Sequence, residues 1–335
     1  MLTKITCPHC NSKDCRISKT YNTFSNGRRN LYECQNCHNV FSETKGTFME
    51  NIKKPISLIA TVLKTRSEGI GFNAACRVFE IAKNTLLDWE RRFSDLKETL
   101  MIYALVHTFI SQVIEGDELH TKIDKNVPVE ECEGWTIVLM ERASRFIWAL
   151  GCGKKDRTLF LYAIQILRNV IEQVGDVTLI TDGERRYGNL LFEICHEVFR
   201  SGHRGRPPKV LLEGTKIRIK NKGKQSHKRG RKRPKYETPH AEHPQTVQNI
   251  TDTEIHANHV EAFTASIRRR SSAYRRRTNT YAKSKTSLQR VLDGVWIVHN
   301  FIRAHFTTKQ VPAVALGVME NGLSWEQILM LQKTV

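Results

Sequence analysis

Several features that would place the 335-residue chain in a familiar class are missing from it. No uncharged run is long enough to cross a membrane. The longest, Thr99 to Ile114, contains His107, Ser111 and Gln112 and falls short of the roughly 20 apolar residues a span requires. The opening MLTKITCPHC has no apolar core of the secretory type, so the expectation is a chain that stays in the cytoplasm. An even set of cysteines is also absent. There are nine, four of them in two C-x-x-C pairs, which in a chain without an export signal favours metal over disulfides. No internal repeat is evident. Acidic residues are scarce: 34 against 53 Lys and Arg, for a net charge of +19.

That scarcity is local. Between Arg200 and Lys235, Glu213 is the only acid among fifteen Lys and Arg; between Thr264 and Arg290 there is none among nine. These segments carry +14 and +9, so the remainder nets −4. Two basic elements on an otherwise slightly acidic globular chain imply an oriented surface for a polyanion, nucleic acid first. Hydrophobic residues make up 40% of the chain, in long periodic segments, which excludes disorder throughout.

Residues 1–50 contain Cys7-Pro-His-Cys10, then 23 residues, then Cys34-Gln-Asn-Cys37. Two such knuckles place four thiolates at the corners of a tetrahedron, the geometry zinc prefers. The segment between them reads as a hairpin turned at Asn26-Gly27, and so small a unit would take its folding energy from a structural Zn²⁺. Cys15, His9 and His38 are alternative ligands that the spacing disfavours. Cys76, Cys132, Cys152 and Cys195 have no partner spacing and read as buried thiols. Residues 51–105 read as helical. In Gly69–Phe93 an apolar face at Ala74, Ala75, Val78 and Phe79 breaks near Glu80-Ile81 and resumes at Leu86, Leu87 and Trp89. A helix-turn-helix fits, with Lys83, Asn84 and Thr85 at the start of the second helix and Arg91 and Arg92 further along it as DNA contacts. A helical hairpin that only packs would look the same.

Residues 106–310 alternate strands and helices. Segments 113–123, 134–143 and 145–153 read as three strands, 158–173 as a helix, 177–181 as a buried strand and 189–199 as a helix. That order is the order of an RNase H-like α/β domain. Asp117 lies on the first strand and Asp182 directly after the fourth; neighbouring strands would let them converge. Glu261, in a helix whose buried stripe is Val260, Phe263, Ile267 and Tyr274, is the third candidate. It shares a seven-residue spacing with Arg268 and Arg275, a suitable line for a metal site beside a phosphate backbone. Three carboxylates plus substrate phosphate suffice for two Mg²⁺ or Mn²⁺ ions, which prefer hard oxygen ligands and, about 3.5–4 Å apart, drive phosphodiester hydrolysis. His256 and His259 are candidate phosphate contacts. Ser324 and Gln327 form a capping-box pattern in the last segment.

The sequence resembles the bacterial DDE insertion-sequence transposases, most closely the insertion-sequence-one group. CPHC…CQNC with FSETKGT, GFNAACRVFEIAKNTLLDW, EGDELHTKI, ITDGERRYG and NHVEAFTASIRRRSSAYRRRTNTYAKS carry the resemblance over nearly the whole chain. It implies a zinc ribbon (1–50), a helix-turn-helix domain (51–105), an RNase H-like catalytic domain (106–310) and a C-terminal tail (311–335). It further implies Asp117, Asp182 and Glu261 as catalytic acids, cleavage at element ends, strand transfer into target DNA and a homo-oligomer on DNA in the nucleoid. One departure is the 78 residues between Asp182 and Glu261, longer than usual for the group. The excess reads as a basic insertion at about 205–245, with Lys228, Arg229, Arg231, Lys232 and Arg233 expected on DNA, and it makes Glu254 the rival third acid. A DNA-binding regulator without catalysis and a nuclease without strand transfer are the other functional readings.

Overall fold

In the computed structural model, the described residues are 5–23, 27–124, 127–200, 206–219, 240–241, 256–275 and 281–332. The chain forms two compact units: residues 1–102 with 321–335, and residues 103–320. Residues 311–335 are therefore divided between them.

In the first unit β1 (Cys15–Thr23), β2 (Gly27–Cys34) and β3 (Val40–Ser42) make an antiparallel sheet in that order. Its register pairs Cys15 with Cys34 and Thr23 with Gly27, and Gly27 takes φ 65°, the left-handed conformation glycine adopts freely. The buried core of this sheet is Cys7, Cys34 and Phe41. Three helices follow: α1 (Ile56–Ser67), α2 (Phe72–Val78) and α3 (Lys83–Val106). The turn between α2 and α3 has a clear cause. Ile81 N–H returns to the Cys76 carbonyl at 3.0 Å and Glu80 sits at φ 51°, a Schellman-type stop with a glutamate where glycine is usual. On α3, Leu86, Trp89, Phe93, Leu96 and Leu100 form the buried stripe. The C-terminal α9 (Trp325–Leu329) joins this unit: Trp325 stacks on Phe93 at 5.6 Å, and Ser324 and Gln327 form the capping box.

The second unit is mixed α/β. Its strands are β4 (Gln112–His120), β5 (Trp135–Glu141), β6 (Ile147–Gly153), β7 (Val177–Thr181), β10 (Thr215–Ile219) and β11 (His240–Ala241). They form one sheet of order β11-β10-β7-β4-β5-β6. β4, β5 and β6 are an antiparallel meander; β7 runs parallel to β4 and β10 parallel to β7. The crossover helix α4 (Arg157–Val174) starts where Asp156 accepts from Thr158 and Leu159 N–H and stops at Gly175 with φ 72°. Then come α5 (Arg185–Ile194), the small β8–β9 hairpin (His196–Val198, Lys209–Leu211), α6 (Asn258–Arg270), α7 (Lys285–Ile297) and α8 (Pro312–Ala315).

Three sequence expectations are corrected. The helix read at 189–199 occupies 185–194, because residues 196–198 pair with 209–211 as a strand. The basic stretch read as an insertion supplies β10 to the main sheet. The helix carrying Glu261 ends at Arg270: Ser271 is extended, and Tyr274 is buried from a separate 3-10 turn whose hydroxyl bonds Thr136 on β5 at 2.5 Å. Arg275 therefore does not continue the helical face of Glu261 and Arg268.

Edge strand β6 is closed by side chains. Asn300, fully buried, accepts from Ile147 N–H and donates to Ile147 C=O, both at 2.9 Å; Gln289 accepts from Cys152 N–H and donates to the Leu150 carbonyl. Two amides thus stand in for a missing neighbouring strand. Phe146, Trp148, Trp296 and Phe301 pack around them with ring centroids 4.7–6.0 Å apart. Asn300→Leu is expected to strand the Ile147 N–H and lower stability by about 2–3 kcal/mol, measured by urea unfolding.

Candidate active site

The four cysteines of the first unit come together. Cys7 Sγ lies 3.6 Å from Cys37 Sγ and Cys10 Sγ 3.5 Å from Cys34 Sγ, and the sulfurs of all four lie within 4.8 Å of one another. Zn–S bonds of about 2.3 Å set tetrahedral S···S edges of about 3.8 Å, so the four sulfurs could hold a zinc ion. Backbone N–H groups of the second knuckle, with Cys37 first, hold the Cys34 thiol down to about 6. The backbone and side-chain N–H groups of Asn39 lower Cys37. Cys15 packs against Cys7 and Cys34 without joining the four-sulfur group, and burial followed by the charges of Cys34 and Cys7 pushes its thiol up to about 11. Cys76, Cys132, Cys152 and Cys195 are buried.

In the second unit the chemistry gathers where β4 and β7 run side by side. Their parallel register ends with Glu115 opposite Ile180; two positions further along both strands stand Asp117 and Asp182. Asp182 follows β7, and Gly183 behind it turns the chain at φ 94°. Glu261 is in the first turn of α6, which packs on β4 and β5. Burial, followed by the negative charges of Asp182 and Glu118 and a smaller effect of Glu261, pushes the Asp117 carboxyl up to about 7. Asp182 and Glu261 are therefore both within electrostatic reach of Asp117, but the oxygens of the three acids do not all lie within 4.8 Å of one another. A cation would relieve the repulsion, and the donor set is the hard oxygen set of Mg²⁺ or Mn²⁺.

Neighbouring residues, not singled out from the sequence, divide the work by strand alternation. Gly116 leaves room for Tyr187 of α5: a Cβ there would meet Leu139, Thr181 and Tyr187 atoms at 3.2–3.3 Å. Glu118 pairs with Lys155 Nζ at 3.0 Å, and that ammonium also lies 3.5 Å from Glu184 and 4.6 Å from the Trp135 ring centroid. Glu115, on the Asp117 face, has a side chain with 0% exposure and pairs with Arg142 Nε at 2.8 Å. Burial would raise its carboxyl, but hydrogen bonds from His259 and the Val260 N–H, with the Arg142 charge, hold it below the usual range. His259 Nδ1 donates to Glu115 at 2.7 Å, and His256 Nδ1 lies 3.9 Å from the same carboxylate, beyond hydrogen-bond distance. The signal for these roles was the run Glu115-Gly116-Asp117-Glu118, with three acids in four residues on one strand.

The expected DNA contacts are placed unevenly. Lys83 and Asn84 are exposed at the start of α3, Thr85 is half-buried, and Arg91 is exposed. Arg92 is bound internally, to Asp88 at 2.9 Å and to the carbonyls of Phe48 and Glu50 at 3.0 and 3.1 Å. Arg268 is half-buried on α6 and Arg275 exposed beyond it. Lys228, Arg229, Arg231, Lys232, Arg233 and Glu254 lie outside the described residues. Among the described residues, no helix is long and apolar enough to cross a membrane.

Two outcomes are expected. Cys34→Ser lowers zinc content, read by plasma mass spectrometry, from one ion per chain to near zero and melts the β1–β3 sheet. The second concerns pH in the metal-free protein. Asp117 binds its proton more tightly folded than unfolded, so its own contribution to stability is full below about pH 4 and declines as pH rises toward 7. Asp117→Asn flattens that decline, and Mn²⁺ offsets it, in melting curves recorded from pH 4 to 8.

No known family profile and no curated protein matches the chain. Among solved structures, it is similar over 40% of its length to a Mos1 mariner paired end complex with Mn, at 11% identity and a TM-score of 0.17. The matched region spans 55% of that solved chain.

Proposed function

We propose that the chain is a DDE-type transposase. In this reading an RNase H-like domain cuts DNA at the ends of an insertion sequence and joins the freed ends to target DNA, and a zinc ribbon with a helix-turn-helix finds those ends. The observation that carries the reading is the half-buried Asp117, whose carboxyl is raised by its partial burial and by the charges of Asp182, Glu118 and Glu261; Asp182 and Glu261 lie 65 and 144 residues later in the chain. Like charges gathered around a half-buried carboxyl oppose folding unless the site has a use for them, and a divalent-cation site is the use their oxygens fit. The sequence resemblance and the concentrated positive charge support the same reading.

In this mechanism Asp117 on β4 and Asp182 just after β7 would hold the ions from the sheet side and Glu261 would hold them from α6. Bound Mg²⁺ or Mn²⁺ would activate the attacking water and stabilise the leaving oxygen. Water attacks the phosphorus at an element end and the P–O3′ bond of the flanking strand or element breaks, leaving a 3′-hydroxyl. That hydroxyl attacks the phosphorus of a target phosphodiester at the same site, and the target P–O3′ bond breaks, leaving a 3′-hydroxyl on the target strand. Arg268, Lys83, Asn84, Thr85 and the basic segment around residues 228–233 steer and hold the DNA, so binding falls steeply with salt. Two ends held at once call for a homo-oligomer on DNA, and the work is placed in the cytoplasm at the nucleoid.

The test is a Mg²⁺-dependent strand-transfer assay on the DNA flanking the reading frame. Asp117→Asn and Asp182→Asn are each expected to reduce cleavage at least 10³-fold while DNA binding stays within twofold. Cleavage without joining would make the protein a nuclease, and wild-type binding without cleavage a regulator.

A further inference from the structure

We propose that Glu115 is a remote N-terminal cap of α6 and the positioning residue that sets where Glu261 stands relative to Asp117. The first helical N–H groups of any helix need outside acceptors. The N-cap position of α6 is Ala257, which has no side-chain oxygen, and the helix makes no side-chain cap of its own. The first intrahelical bond within reach is from Glu261 N–H to the Ala257 carbonyl at 3.1 Å. Glu115, from β4, takes over the missing role: its Oε2 accepts from His259 N–H at 3.0 Å and Val260 N–H at 3.1 Å. Those are the second and third helical positions, the ones a local Ser or Asp cap would serve. A carboxylate there also meets the positive end of the helix dipole.

The other oxygen completes a clamp. Oε1 accepts from His259 Nδ1 at 2.7 Å and from Arg142 Nε at 2.8 Å, and Arg142 Nη2 donates to the His256 carbonyl just ahead of the helix. One ion pair thus binds both the lead-in and the first turn of α6 to the sheet. Glu115 lies two residues before Asp117 on the same face of β4, and its backbone partners immediately precede Glu261. The clamp therefore fixes the spacing between two of the three acids while leaving their own oxygens free of it.

Glu115, His256 and His259 also have ligand atoms within 4.8 Å of one another, as a zinc trio would. The contacts favour the cap. Each carboxylate oxygen already accepts two hydrogen bonds, and a guanidinium 2.8 Å away repels a second cation.

The consequence for Glu261 rests on the carboxylate reading above; the cap itself does not. Amide exchange of the full chain, followed by mass spectrometry, tests the cap directly. Glu115→Ala is expected to speed exchange in peptide 256–264 at least tenfold while peptide 146–153 in β6 is unchanged. Adding Ala257→Ser, which supplies a local cap, is expected to restore most of the protection; a residue that merely fills the core would not be replaced this way. If Glu115→Ala does not fold, Glu115→Gln with and without Ala257→Ser decides, with a loss of at least threefold and its recovery expected. Unchanged exchange in the first turn of α6 overturns the cap. So does a zinc content of two per chain that falls to one in the Glu115 variant, which would mark a metal site.

Half-saturating Mn²⁺, read by water-proton relaxation at a temperature where every variant is folded, is expected to rise at least fivefold in the Glu115 variant and to return with Ala257→Ser. An unaltered Mn²⁺ dependence beside a lost cap overturns the positioning role. If Asp117→Asn leaves Mn²⁺ binding unchanged, the carboxylate reading fails, and the exchange data still decide the cap.

Discussion

The parallel pairing of β4 with β7 is the constraint from which the proposed site follows. It joins two segments more than sixty residues apart, and its register ends at Glu115 opposite Ile180, two positions short of Asp117 and Asp182 on the two segments. Each strand is placed by ordinary burial: β7 is apolar and threonine-rich with every residue inside, and β4 is covered by β5 on its other side. Asp117 stands half-buried at the end of this paired core, where it senses the charges of Asp182, Glu118 and Glu261. A register shift of one residue would turn Asp117 to the opposite face.

Four consecutive residues of β4 have four separate tasks because successive side chains point to opposite faces. Glu115 anchors α6, Gly116 makes room for Tyr187, Asp117 faces the proposed metal site and Glu118 pairs with Lys155. Acids of similar chemistry end in different states because their surroundings differ. Glu115, hydrogen-bonded on both oxygens and paired with arginine, is held as a carboxylate, while Asp117, among like charges, holds its proton up to about 7. A buried acid with full partners acts as a structural link, and a buried acid among other acids is where a cation is called for.

The first unit applies the same economy with less core. Its sheet buries little beyond Cys7, Cys34 and Phe41, so thiolate geometry stands in for apolar volume. The turn before α3 keeps Glu80 in a left-handed conformation, which costs about 1–2 kcal/mol outside glycine, and the closing bond to Cys76 offsets part of that cost. Arg92 ties α3 to the Phe48 and Glu50 carbonyls, so of the two arginines on that stretch only Arg91 faces solvent.

The sequence determined whatever depends on residues near one another in the chain. The cysteine spacing fixed which sulfurs meet, period-two alternation gave β5 and β6, and Asp156 and Gly175 set the limits of α4 because caps act over three or four residues. The three acids were proposed from their places, one within the first strand, one directly after a buried strand and one in a helix. Tertiary structure decided the rest. A strand hidden in the basic run became β10 once β7 offered it an edge, and α6 stopped at Arg270 because Tyr274 was drawn to Thr136 on β5. Glu115 became a cap for a helix 143 residues away, as Asn300 closed a strand edge 153 residues away. Nothing local marks such residues, since a buried polar side chain takes its role from whichever backbone groups the fold leaves without a partner.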